Sequence, residues 1–108
     1  MKVFISQPMS GLTDEEVFNI RDQAIEEIKK IYYFFEERGE LEIVSATYIR
    51  DGEVIPENPS RIWYLGRAIQ MMDGATVIYM CKGWENSKGC KVEHLVATEH
   101  EILIYYQQ

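Results

Sequence analysis

Four short runs rich in β-branched, aliphatic and aromatic residues, KVFIS (2–6), LEIVSA (41–46), ATVIYM (75–80) and EILIYY (101–106), recur along the chain, and a stretch long enough for a helix separates each from the next. Runs of this length and composition read as strands. Strands that alternate with helices must pair in parallel, with right-handed crossovers that lay helices over both faces of the sheet. The order β-α-β-α-β-α-β therefore predicts an α/β fold of three layers, flavodoxin-like or Rossmann-like, with a mainly parallel sheet of four to five strands. At 108 residues this is one domain spanning 1–108.

The intervening segments carry helix signals. Thr13 followed by Glu16 is a capping box, and Val17, Ile20, Ala24, Ile28, Ile31 and Phe35 recur at three- and four-residue spacing. This stripe predicts a first helix from about Asp14 to about Arg38, before Gly39. The aromatic run IYYFF at its end suits either an interface or the core. Residues 60–72 read as a second helix ending near Gly74, and Ser87 to about His100 as a third. In open parallel sheets ligands bind at the carboxyl ends of the strands. The loops QPMSG, Thr47 to Asn58 and CKGWENSKG should gather there, and so long a loop as the second is expected to be functional or an oligomer contact.

Composition narrows the function classes. Eighteen acids against eleven Lys and Arg give a formal charge of −7, which opposes binding along a nucleic acid polymer. A single phosphate at a helix N-terminus is compatible with that charge. Cys81 and Cys90 match neither a CxxC redox pair nor a zinc pattern, so reduced thiols are expected. No run approaches membrane-spanning length and no leader pattern is visible, so the expectation is a cytoplasmic protein with no membrane partner.

The stretch GWENSKGCKVEH, 83–94, concentrates the chemistry. Ser87 is a good N-cap, and Gly89 would let a ligand approach the first-turn amides, where the helix dipole favours an anion. Simple capping and close packing would account for the same two residues. Glu93 has Gly89, Cys90, Val96 and Ala97 as its helical neighbours and no Lys or Arg three or four residues away. If that face is buried, desolvation makes the carboxylate a stronger base and nucleophile; if it is exposed, Glu93 is merely solvated. Glu85 reads as a solvated loop acid. At the other rim, Ser6, Gln7, Pro8, Met9, Ser10 and Gly11 form a turn-rich loop with Ser6 and Ser10 as donors, and Trp84 is placed to stack on a base. His94 points about 100° away from Glu93 on a helix, and neither it nor His100 is assigned a role.

The opening KVFISQPMSG, the block from Trp63 to Met80 and above all GWENSKGCKVEHLVA resemble the nucleoside 2-deoxyribosyltransferase-like superfamily, which includes nucleoside deoxyribosyltransferases and nucleoside monophosphate N-glycosidases. The N-glycosidase pattern Ser-x-Gly-x-x-x-Glu is matched by Ser87, Gly89 and Glu93. The resemblance implies a Glu93 nucleophile at the anomeric carbon of a nucleoside or nucleotide sugar, with Ser87 and Gly89 anchoring its 5′ end. No metal or organic cofactor is implied, and the expected assembly is a homodimer or higher homo-oligomer whose neighbouring subunit helps to close the site. Two positions depart from the pattern: Phe4 stands where family enzymes often carry a Tyr that orients the Glu, and Asp73 does not align convincingly with the Asp that serves the leaving base. A non-catalytic nucleotide-sensing or sequestering module is the alternative.

Overall fold

The computed structural model describes residues 1–47 and 51–108. Residues 48–50, inside the expected loop from Thr47 to Asn58, lie outside the described residues. The elements are β1 (Lys2–Ser6), α1 (Asp14–Ile31), α2 (Tyr33–Glu37), β2 (Glu42–Ser45), α3 (Arg61–Met71), β3 (Val77–Met80), α4 (Lys88–Glu99) and β4 (Leu103–Tyr106), with one 3-10 turn at Trp84–Asn86.

All four strands are parallel, in the order β2-β1-β3-β4. The two central strands are the most continuously apolar runs and are buried on both faces, whereas β2 and β4 are partly exposed edges. The chain steps from β1 outward to β2 and then returns past β1 to β3. Crossovers of one hand must then place their helices on opposite faces. The side-chain alternation of period two sorts the core accordingly. Val3, Ile5, Val77 and Tyr79 pack against Ala24 and Ile28 of α1, while Phe4, Ile78 and Met80 pack against Ala68 and Met71 of α3 and Cys90 and Ala97 of α4. The expected three-layer α/β fold is the fold observed.

Local signals hold in detail at several ends. The Thr13 hydroxyl accepts from the Glu16 amide at 3.2 Å, and the Glu16 carboxylate accepts from the Thr13 amide at 3.1 Å, completing the capping box. Ser60 caps α3 by accepting from the Trp63 amide at 3.1 Å. On the inner face of α1, Glu27 accepts from the hydroxyls of Tyr79 at 2.6 Å and Tyr105 at 3.3 Å, which ties the helix to β3 and β4.

The first helix is shorter than its periodicity predicts. It ends at Ile31, Tyr32 leaves the helical region at φ −109° and ψ 39°, and α2 restarts at Tyr33. Four consecutive aromatic residues have lower helix propensity than the Lys and Glu before them, and the apolar stripe loses its cover past Ile28, since Ile31 is already exposed. Tyr33 and Phe34 stack on each other with ring centroids 4.3 Å apart and are exposed, so they are not core residues.

Candidate functional site

The chain reverses direction between β1 and β3, and the crevice of an open parallel sheet lies at such a switch point, beyond the strand carboxyl ends. Ser6 and Met80 end the two strands in register there. Pro8, two residues beyond β1, lies 3.7 Å from where a Cβ on Gly83 would stand, so the loops after β1 and β3 touch. Gly83 has a φ of 87°, a left-handed turn that L side chains rarely adopt, and this turn leads through the 3-10 turn into α4.

Ser87 is the N-cap of α4, its hydroxyl accepting from the Cys90 amide at 3.3 Å. Space is open around the Gly89 Cα where a side chain would stand. Lys82, Lys88 and Lys91 lie near this helix start in sequence, with the acid Glu85 among them, and all four are exposed. The first-turn amides and the helix dipole favour an anion at this end.

Cys90, Glu93 and Ala97 form the buried stripe of α4, so Glu93 occupies a position where a core side chain belongs. It is 8% exposed. Because alternation turns Ser6 to the α4 side of the sheet, its hydroxyl donates to Glu93 Oε1 at 2.6 Å. Burial pushes the Glu93 carboxyl up to about 7, and the Ser6 hydrogen bond only partly opposes it. The carboxyl therefore ionises far less readily than an ordinary glutamate, and it lies on the same helix as the N-cap Ser87, six residues further on. Such a group suits nucleophilic or base chemistry.

Over residues 1–106 the chain matches the model of a family described as a domain of unknown function, DUF4406. The chain belongs to that family. No curated protein and no solved structure matches it.

In this DUF4406 chain the residues expected at the site divide into several groups. Ser6, Pro8, Ser87, Gly89 and Glu93 belong to the strand end, loop and helix start at the switch point, whereas the Trp84 ring turns towards β4. Met9, Ser10 and Gly11 lie at its outer rim and are exposed. Gln7 is buried but turns to the α1 side, its Nε2 donating to the Val17 carbonyl at 2.9 Å, while its Oε1 is sealed without a partner. Trp84 already offers a ring face to His94, with centroids 4.3 Å apart, and the His94 Nε2 lies 2.7 Å from the Tyr106 hydroxyl. This aromatic cluster was not legible from spacing, since its members come from a 3-10 turn, a helix and the last strand.

The two departures from the resembled pattern also find their places. Phe4 is fully buried in the core below the site, and Ser6 supplies the hydroxyl on Glu93 instead. Asp73 sits in the turn that leads into β3, at the amino edge of the sheet, where its backbone carbonyl accepts from Lys2 Nζ at 2.5 Å. It is at the opposite end from Glu93. Two surface depressions, one along α1 lined by Asp22, Gln23, Glu26, Glu27 and Lys30, the other at the amino edge around Lys2, Glu40 and Thr76, contain none of the switch-point residues.

Both cysteines are free and buried, Cys81 at 1% and Cys90 at 2% exposure. Burial pushes the Cys81 thiol up to about 12 and the Cys90 thiol up as well, the latter against opposing contributions from Ser6 and Ser87. Protonated, covered thiols are poor nucleophiles. The native chain is expected to give no colour with Ellman's reagent over minutes at pH 8 and to release two equivalents in denaturant; rapid reaction of the native chain would show that the start of α4 opens readily.

Proposed function

We propose that this chain cleaves the N-glycosidic bond of a nucleoside or nucleoside 5′-monophosphate, or transfers its (deoxy)ribosyl group to a second base, with Glu93 as nucleophile. The observation that carries the reading is the buried Glu93 carboxyl at the switch point, fixed by Ser6 at 2.6 Å and six residues beyond the N-cap of α4. The Ser87, Gly89 and Glu93 match to the resembled N-glycosidases supports it independently.

In the proposed reaction a phosphate or 5′-hydroxyl is held at the start of α4 by Ser87, Gly89 and the nearby lysines. This fixes the sugar within reach of Glu93, and positioning of that kind lowers a barrier by several kcal/mol. An ionised Glu93 oxygen attacks the anomeric carbon; the bond to the base breaks, and its electron pair leaves with the base, which takes a proton from solvent. Water or a second base then attacks the same carbon, and the carboxylate is released unchanged. Only the ionised form can attack, so the rate is expected to rise with pH through about 7 and then level. The proposal extends to a homodimer or larger homo-oligomer in which a neighbouring copy closes the site.

A non-catalytic nucleotide-binding role is the second reading, favoured by the placement of Asp73 at the far edge of the sheet, away from any leaving base. Incubation with a mixed pool of nucleosides and 5′-monophosphates, read by mass spectrometry, separates the two. Free base with sugar or sugar phosphate supports hydrolysis, and exchanged nucleosides support transfer. A nucleotide-dependent rise in Tm without any product supports the binding role.

A further inference from the structure

We infer that Ser6 is a positioning residue that holds the Glu93 carboxylate and does not itself bind substrate. The inference rests on the reading of Glu93 as the reacting group, and replaces the expectation that Ser6 is a substrate donor. Ser6 is 1% exposed, and the single proton of its hydroxyl is directed to Glu93 Oε1 at 2.6 Å. A hydroxyl has one proton to donate, and with it on Glu93 and the Cys90 thiol also against the oxygen, none is left for a sugar.

The donor is also rigidly placed. Ser6 is the last residue of β1, in register with Met80 of β3, and its backbone carbonyl accepts from the Cys81 amide at 2.9 Å. The ladder between the two central strands therefore fixes the position from which the hydroxyl reaches α4. Held on one oxygen, the carboxyl has its other oxygen left for the reacting carbon. The same bond favours the ionised form over the protonated one, against the burial that opposes ionisation.

Few other groups act on this carboxyl. Cys90, one turn earlier on α4, keeps its proton. Cys81 at the end of β3 belongs to the opposite face of the sheet. His94 is engaged with Trp84 and Tyr106. Among the described residues, no charged side chain on β1, β3 or α3 contributes to the Glu93 shift, which arises from burial and Ser6 alone. Among the described residues, Ser6 is thus the side chain whose hydrogen bond favours the ionised form of Glu93.

The test is the Glu93 titration itself, followed by carboxyl 13C NMR with Glu93→Gln to assign the signal, so it does not require turnover. Ser6→Ala is expected to move the midpoint upward from about 7 by about one pH unit, because a hydrogen bond to the charged form is lost. Ser6→Thr, which keeps the hydroxyl, should restore it. In the base-release assay Ser6→Ala should lower kcat at pH 7 with little change in KM, and the deficit should shrink above pH 8. An unmoved midpoint in folded Ser6→Ala, or a raised KM with an unmoved midpoint, would overturn the inference. A shifted midpoint in a protein that releases no base from any nucleoside would leave the positioning role standing and remove the catalytic reading.

Discussion

Glu93→Gln is expected to abolish turnover while making the protein more stable at alkaline pH. The loss follows from removing the proposed nucleophile, for which a fall of about 10³-fold or more is ordinary. The gain follows from linkage. The folded Glu93 carboxyl titrates at about 7, above the ordinary glutamate value of 4.5. Folding therefore favours the protonated form. Stability from this group is fully present below about pH 4.5 and is lost as pH rises through about 7. The loss amounts to about 3 kcal/mol once the pH is well above 7. Glutamine keeps the shape and can still accept from Ser6, but never has to carry a buried charge. Thermal melts of both proteins across pH 4 to 9 should give nearly equal Tm values at the acid end and a growing advantage for Glu93→Gln up to about pH 8. Parallel curves across that range would place Glu93 in water, not in the core stripe of α4. A site that sacrifices stability for an ionisable group in an apolar stripe fits the usual opposition between stability and function.

The second large effect concerns the long loop between β2 and α3. Arg67 of α3 is 7% exposed and forms a two-pronged ion pair with Glu53, through Nη2 to Oε1 at 2.9 Å and through Nε to Oε2, while Nη1 donates to the Ala46 carbonyl at 2.7 Å. The guanidinium thus ties the loop to the carboxyl edge of the sheet, just past β2. Glu53→Ala removes the carboxylate that engages two nitrogens of a covered guanidinium, a loss of about 3 kcal/mol. For a domain of this size that corresponds to a fall in Tm of roughly 13 °C. Arg67→Lys should recover little, since an ammonium cannot reproduce the planar fork. The double variant Arg67→Met with Glu53→Leu should lose less than Glu53→Ala alone, because neither member of this pair stays behind after the other is removed. Melts of the three variants at one pH decide this; a Glu53→Ala protein as stable as the parent would mean that the pair is solvated and the loop is held by other groups.

Much of the fold was readable from period and punctuation. The strand runs, the Thr13 capping box and the Ser87 cap appear where local chemistry demands them, because each depends on residues within a few positions. Asp73, which could not be aligned from the sequence, finds its place through the topology: in a parallel sheet every turn from helix to strand lies at the amino edge, so a residue just before β3 cannot reach the carboxyl edge. The Tyr32 break was hidden because the apolar spacing continues through Phe35 even though the sheet beneath does not. The Arg67–Glu53 pair joins a helix to a loop fourteen residues away, and neither partner has a local pattern that announces burial.

The candidate site was half legible. A carboxylate in the stripe Cys90, Glu93, Ala97 is visible in the sequence, and whether that stripe faces a core decides everything about its ionisation. Its partner was harder to see. Ser6 and Glu93 are eighty-seven residues apart, and their meeting depends on strand order and on the parity of β1, which sends Ser6 to the α4 side and Gln7 to the other. Sequence reasoning gave both residues the same role; alternation separates them.

The measurement that bears most directly on the central claim is base release from one 5′-mononucleotide found active in the mixed pool, followed side by side for the parent chain and Glu93→Gln at pH 8. The account predicts steady release by the parent and none above the uncatalysed rate by the variant, with both proteins folded by their melting curves. Equal release by the two proteins, or no release by the parent from any nucleoside or 5′-monophosphate in the pool, would contradict it.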